Sequence, residues 1–259
     1  MRDILVDLEA AATNPIEAAR QASKTELPKR FYKEVALLEV DGGFVVGLDG
    51  RAVKTPGHNR LLLPENGAQL LAGEFDAQTE YLDPKAMPLY RLLNTAIDGV
   101  ATDMQAVAED IVRFAGSDLL CYRADGPERL VSRQNEAWDP MLDWISSSLG
   151  SRFVLAEGIM HVTQPKATIG AFSLLVNRID DPIILAALHS MTTLTGSAVL
   201  GFAVYEGELA AEEAWKTAHV DEDFNIEQWG EDAEANALRI WKWTQMKAAA
   251  DIVDALLGR

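Results

Sequence analysis

One acidic run, four histidines and one cysteine are the residues whose types and spacing could do chemistry in this chain. The run DEDFNIEQWGEDAEANALR, residues 221–239, gathers seven carboxylates around Trp229: Asp221, Glu222, Asp223, Glu227, Glu231, Asp232 and Glu234. Carboxylates this dense suit cation binding, proton transfer or a charged face for another protein. A metal site needs ligands converging from several directions, and His219 with Glu222 or Asp223 is the nearest approach to a mixed nitrogen and oxygen set. His58, His161 and His189 lie elsewhere in the chain, and no HExxH or paired ExxH motif puts a histidine and a carboxylate on one helical face. A carboxylate-dependent metal or hydrolytic enzyme using Glu222, Asp232, Glu234 and His219 is therefore the rival reading, not the first one.

Other catalytic signatures fail on spacing. The glycines of DGGFVVGLDG lack the GxGxxG or GxxxxGK[ST] order that lets backbone amides cradle phosphate, so they read as turn residues. Ser197 in TGSAVLG has no GxSxG elbow and no neighbouring base to activate it. Acids near the start of a helix are stabilised by its dipole, which gives Glu227, Glu231 and Asp232 an ordinary role if the last long helix begins near 228. Glu227, Glu231 and Glu234 then fall at i, i+4 and i+7 on one stripe. Further along, Leu238, Trp241, Gln245, Ala248 and Ile252 share a face, which places Trp241 in the core, while Ile240, Trp243 and Lys247 turn toward another. Trp229 among its acids fits a recognition surface, where a large ring supplies contact area and charges orient the partner.

The elements that must position these residues follow from pattern. The 259 residues carry 23 basic and 40 acidic side chains, a net charge of −17, which disfavours nucleic acid and anionic lipid as partners. The single Cys121 excludes an intramolecular disulfide and reads as a small buried residue in a reducing compartment. The N-terminus has no signal-peptide core, and no apolar run reaches the roughly 18–20 residues needed to span a bilayer.

Residues 1–27 read as an N-terminal arm, helical and loosely held, broken at Asn14-Pro15. From Arg30, three β-rich runs are joined by Asp41-Gly42 and Asp49-Gly50, and a fourth, Arg60–Leu63, ends at Pro64. Helical periodicity predicts a helix over 65–80, then helices near 127–149, 166–178, 182–195, 210–220 and 228–256. Thr102 with Gln105 predicts a capping box before the helix carrying Val107, Ile111 and Phe114. Strands first and helices later give an α+β fold: a small β-rich N-terminal domain, 28–100, followed by a larger all-α C-terminal domain, 101–259.

Several stretches together carry a resemblance: KRFYKEV, VGLDGRAVKTP, LAGEFDAQ, MPLYRLLNTAID, DLLCYRA, LVSRQNEAWDPMLDW, TGSAVLGFAV and DEDFNIEQWGEDAEA, in that order from Lys29 to Ala235. In these the chain resembles the assembly chaperones of F-type ATP synthase that act on its alpha subunit. The resemblance implies a non-enzymatic protein without a cofactor, monomeric, in the bacterial cytoplasm, whose partner is the unassembled alpha subunit. It also implies that Glu222, Trp229, Glu231, Asp232 and Glu234 serve in partner binding. Two positions depart from the family pattern. Phe75 stands where a Trp commonly follows the residue matching Glu74, and the helix in GELAAEEAW lacks its capping Ser.

Overall fold

A computed structural model of the chain describes residues 27–158 and 161–259, so the expected N-terminal arm lies outside the described residues apart from Leu27. The apolar runs after Arg30 form a three-stranded antiparallel meander, β1 (Val35–Val40), β2 (Gly43–Leu48) and β3 (Arg51–Ala52), in the order β1-β2-β3. Register runs from Val35 opposite Leu48 to Val40 opposite Gly43. The second hairpin turns on Asp49 (φ 47°) and Gly50 (φ 77°), the pair of positive φ values that matches strand twist and that Asp-Gly tolerates. The Asp49 carboxylate accepts backbone N–H groups from Glu34 (2.9 Å) and Lys33 (3.0 Å), which pins the entry to β1 and holds its carboxyl below the usual range. Arg60–Leu63 does not form the expected strand. It touches the sheet through single bridges, Leu63 with Phe44 and Arg60 with Lys54, because Pro64 has no N–H to extend the ladder.

Helix α1 (Glu65–Asp76) lays Ala68, Leu71 and Phe75 on this sheet and ends four residues earlier than its periodicity predicts. From α1, the Glu74 carboxylate accepts the N–H groups of Leu89 (2.7 Å) and Tyr90 (2.8 Å), satisfying the first turn of α2 (Pro88–Asp98), which has no side-chain cap of its own. Burial pushes the Glu74 carboxyl up to about 7, with the two N–H groups and Arg91 pulling the other way.

Helix α3 (Met104–Ala115) is capped by Asp103, which accepts from the N–H of Ala106, not by Thr102. Thr102 closes a 3-10 turn, Val100–Thr102, and its hydroxyl donates to the Gly99 carbonyl at 2.6 Å, so it is not free to cap.

The mostly helical remainder comprises α4 (Glu128–Leu149), α5 (Lys166–Val176), α6 (Pro182–Thr195), α7 (Ala198–Glu206), α8 (Ala211–Ala218), α9 (Val220–Trp229) and α10 (Ala233–Leu257), interrupted by a two-residue parallel pair, β4 (Tyr122–Arg123) and β5 (Ala156–Glu157). Helix α7 has no signature in the periodicity: Ala198–Val204 is buried on every side, so apolar residues show no stripe. Its N-terminus meets the fully buried Asp118, which accepts N–H groups from Val199 and Leu120, both at 3.0 Å.

Cys121 is buried as expected, and its thiol is pushed up to about 12, mainly by desolvation, which leaves it unreactive. One apolar cluster runs from Tyr32 on the strand side to Ala255 in α10. The fold is thus α+β, with the three-stranded sheet at the N-terminal side of a predominantly helical chain and one two-residue strand pair, β4 with β5, among the later helices. Among the described residues no helix is long and apolar enough to cross a membrane.

Candidate functional site

The acidic run does not lie along one helix. Helix α9 stops at Gly230, whose φ of 87° and ψ of 173° an L side chain rarely adopts, and α10 restarts three residues later. Asp232 caps the new helix, accepting the N–H of Ala235 at 2.8 Å. The expected stripe of Glu227, Glu231 and Glu234 therefore does not exist: Glu227 belongs to α9, Glu231 to the corner and Glu234 to the first turn of α10. Only Glu234 and the cap Asp232 receive the dipole benefit of α10; Glu227 sits in the last turn of α9, where the dipole opposes it. A break was legible in WGEDAEA, since Gly230 with Asp232 two residues on is a stop and a start in close succession.

Glu227 is held instead by two arginines of α4. Arg133 grips it through two hydrogen bonds of 2.8 Å and Arg129 adds one of 3.0 Å, which keeps its carboxyl below the usual range. Asp221 accepts from Gln134 Nε2 at 2.7 Å, and Phe224 is buried beneath the same arginines. Trp138 of α4, fully buried, donates its indole N–H to the Thr217 carbonyl at 2.7 Å. Asp223 pairs with Arg239 at 2.6 Å and so ties α9 to α10. Apart from Arg239, which lies in the run itself, these partners are 79 to 98 residues away, and no local signal announces them.

His219 does not complete a catalytic pair. Its Nδ1 lies 2.7 Å from the Trp215 carbonyl, an acceptor only, so the ring proton resides there and Nε2 offers a lone pair toward Glu222 Oε2, 3.6 Å away. Burial lowers the His219 pKa, so the ring stays neutral near pH 7. Two acceptors facing each other at that distance share no proton. Among the described residues no three His, Cys, Asp or Glu side chains converge as a metal cage.

What the corner offers is a surface. Glu222, Trp229, Glu231 and Asp232 line one open cleft of about 380 Å³, with Asn225, Asn236 and Arg239 on its walls; Glu234 is exposed but not part of the lining. Trp229 is 86% exposed. The first half of α10 also stands clear of the core, with Leu238, Ile240 and Trp241 exposed, while its second half buries Met246, Ala249, Ile252 and Val253. Trp241 is thus not the core residue its periodicity predicts. Trp243 takes the inner position, packed on Trp215 with ring centroids 5.7 Å apart. The missing cap of α8 is real: Ala210 makes no side-chain hydrogen bond.

Comparison with known proteins bears on what such a surface serves. A family model described as ATP12 chaperone protein matches residues 29–146. The crystal structure of the Atu1473 protein of Agrobacterium tumefaciens, described as a candidate chaperone, is 51% identical, covering 99% of this chain and 97% of that one, with a TM-score of 0.84. Atp12 from Paracoccus denitrificans is 38% identical over 88% of this chain and 98% of its own, with a TM-score of 0.80. The chain belongs to the ATP12 chaperone family. A mitochondrial ATP12 relative, protein atp12 of Schizosaccharomyces pombe, is 22% identical over 214 residues, 78% of this chain and 74% of that protein. The family model ends inside α4, so beyond it the ATP12 likeness rests on the Paracoccus structure, which covers 88% of this chain.

Proposed function

We propose that this ATP12-family protein binds the unassembled alpha subunit of F-type ATP synthase and shields its interface until the beta subunit replaces it, with no catalytic step. A ring subunit made alone exposes a large interface that associates wrongly, and a protein covering it gives way to the correct partner by competition. The observation that carries the reading is the α9–α10 corner. There Trp229, 86% exposed, stands among carboxylates beside an α10 whose first half leaves Leu238 and Ile240 uncovered.

Exposed apolar side chains ringed by charge are the makings of an interface, and the acids suit a basic client face. Glu222, Trp229 and Glu231 are the contact residues in this proposal; Asp232 holds the corner as the cap of α10, and Glu234 flanks it. The protein acts as a monomer in the bacterial cytoplasm, a placement supported by its likeness to two bacterial structures.

A pull-down with separately purified alpha and beta subunits at physiological salt tests the reading. Capture of alpha and its release on adding beta is the expected outcome. Capture of beta alone, or of neither, overturns it.

A further inference from the structure

A cleft of about 770 Å³ opens on the strand side, between β3 and α2, and shares no lining residue with the acidic corner. Its floor is apolar, built from the buried Leu48, Val53, Phe75 and Met87. One wall is a strand seen from its edge. Arg51, Ala52, Val53 and Lys54 all line the cleft. Successive side chains of an extended chain point to opposite faces, so four in a row reach one cleft only where the backbone edge itself faces it. Register shows which backbone groups that edge leaves open. The Val53 N–H donates to the Val46 carbonyl at 2.8 Å, so Gly47 and Ala52 are a pair that exchanges no hydrogen bonds, and the Ala52 N–H and C=O point off the side away from β2. The same alternation turns the backbone groups of Lys54 outward, and its carbonyl accepts the Tyr90 hydroxyl of α2 at 3.1 Å. Among the described residues the Ala52 N–H and C=O and the Lys54 N–H have no hydrogen-bond partner.

Charge says which strand would fit. Arg51, Lys54 and Arg91 stand around this edge, all exposed and in no ion pair among the described residues, with Arg91 resting over the Trp241 ring at 5.7 Å. Asp49 is the one acid in the lining, and its carboxylate is already engaged by the N–H groups of Lys33 and Glu34. In a chain of net charge −17 the cleft is therefore a local cationic site. Like charges on two copies of this edge oppose self-pairing, whereas carboxylates on a foreign strand are drawn to it.

We propose that β3 is a docking edge for an extended segment of a protein partner in which apolar side chains alternate with carboxylates. Its backbone adds to the sheet at Ala52 and Lys54, its apolar side chains cover the floor, and its carboxylates meet the cationic rim. Strand addition of this kind takes affinity from main-chain hydrogen bonds and specificity from the pockets that receive alternate side chains. The segment is opposite in charge to the basic client face assigned to the acidic corner, and the proposal stands whatever client that corner takes.

The full chain and a synthetic probe, fluorescein-labelled Glu-Val-Glu-Val-Glu-Val amide, test this by fluorescence anisotropy and by amide hydrogen exchange followed with NMR. The expected result is saturable binding, with exchange of the open Ala52 N–H slowed about tenfold or more at saturation. Arg51→Glu with Lys54→Glu, both exposed positions, should weaken binding about tenfold. A probe N-methylated at every residue keeps its side chains and charge but loses its backbone donors, and should weaken by about tenfold as well. No saturable binding, equal affinity for the N-methylated probe or for Lys-Val-Lys-Val-Lys-Val, or an unchanged exchange rate at Ala52 would each overturn the proposal. Displacement of the probe by sodium decanoate at lower concentration than by unlabelled peptide would overturn it in favour of a small amphiphilic carboxylate. Self-association of the protein that the probe reverses would overturn it in favour of a second copy of this chain.

Discussion

Replacing Trp229 by alanine separates recognition from folding, because the ring is 86% exposed and contributes little to the core. A tryptophan side chain presents on the order of 200 Å², so roughly 170 Å² of this ring is open to solvent. At about 25 cal/mol per Å² its coverage is worth at most about 4 kcal/mol. Ordering and imperfect fit consume part of that, and interface hot spots of this type lose about 2–3 kcal/mol on truncation, or roughly 30–150-fold in Kd. Titration calorimetry of Trp229→Ala against purified alpha subunit, alongside a thermal melt, is the assay. The expected outcome is weakening of that order with an unchanged melting temperature, and partial recovery in Trp229→Phe. A change below about threefold with Tm held would refute the placement of the client on this corner. A large fall in Tm would refute the claim that the ring is structurally idle.

Four further perturbations test other parts of the structure. Glu222→Gln with Glu231→Gln should slow association with the alpha subunit severalfold and flatten its salt dependence in stopped-flow measurements, since rim charges act mainly on encounter. Asp232→Ala should cost about 1 kcal/mol in chemical denaturation through loss of the α10 cap, while Asp232→Asn should keep the cap and report the charge alone. Gly230→Ala should cost about 1–3 kcal/mol from backbone strain, as nothing lies within 4 Å of the added methyl. Glu74 titrates with a folded-state pKa raised from 4.5 to about 7, so its stabilising share is full below pH 4.5 and is lost as pH rises through 7. The stability gap between wild type and Glu74→Gln should therefore move toward the variant by about 2 kcal/mol between pH 5.5 and 8, whatever its offset. A gap that does not vary with pH would contradict the buried carboxylate.

Motif order from Lys29 to Ala235 and local chemistry determined a good deal about this protein. The Asp-Gly turns demanded positive φ, the apolar stripes of α1 and α3 demanded a surface to pack on, and Asp181 before Pro182 announced α6, whose first N–H groups it accepts. Family membership and the identity of the acidic residues were legible for the same reason: both are written in neighbouring residues.

The arrangement of those acids was not. Whether Glu227 is free or clasped depends on Arg129 and Arg133, nearly a hundred residues away, and whether Asp223 is free depends on Arg239 across the corner. Trp241 and Trp243 exchange their expected places because Trp215 of α8 packs on the Trp243 side of α10, and periodicity ranks faces without knowing which one a neighbour will bury. Helix α7 escaped notice because a segment enclosed on all sides has no polar face to reveal its period. Sequence specifies hydrogen-bond donors, charges and turns, which act over a few residues. Burial and pairing are set by the elements that fold against them, and that tertiary packing alone left Trp229 exposed at the α9–α10 corner.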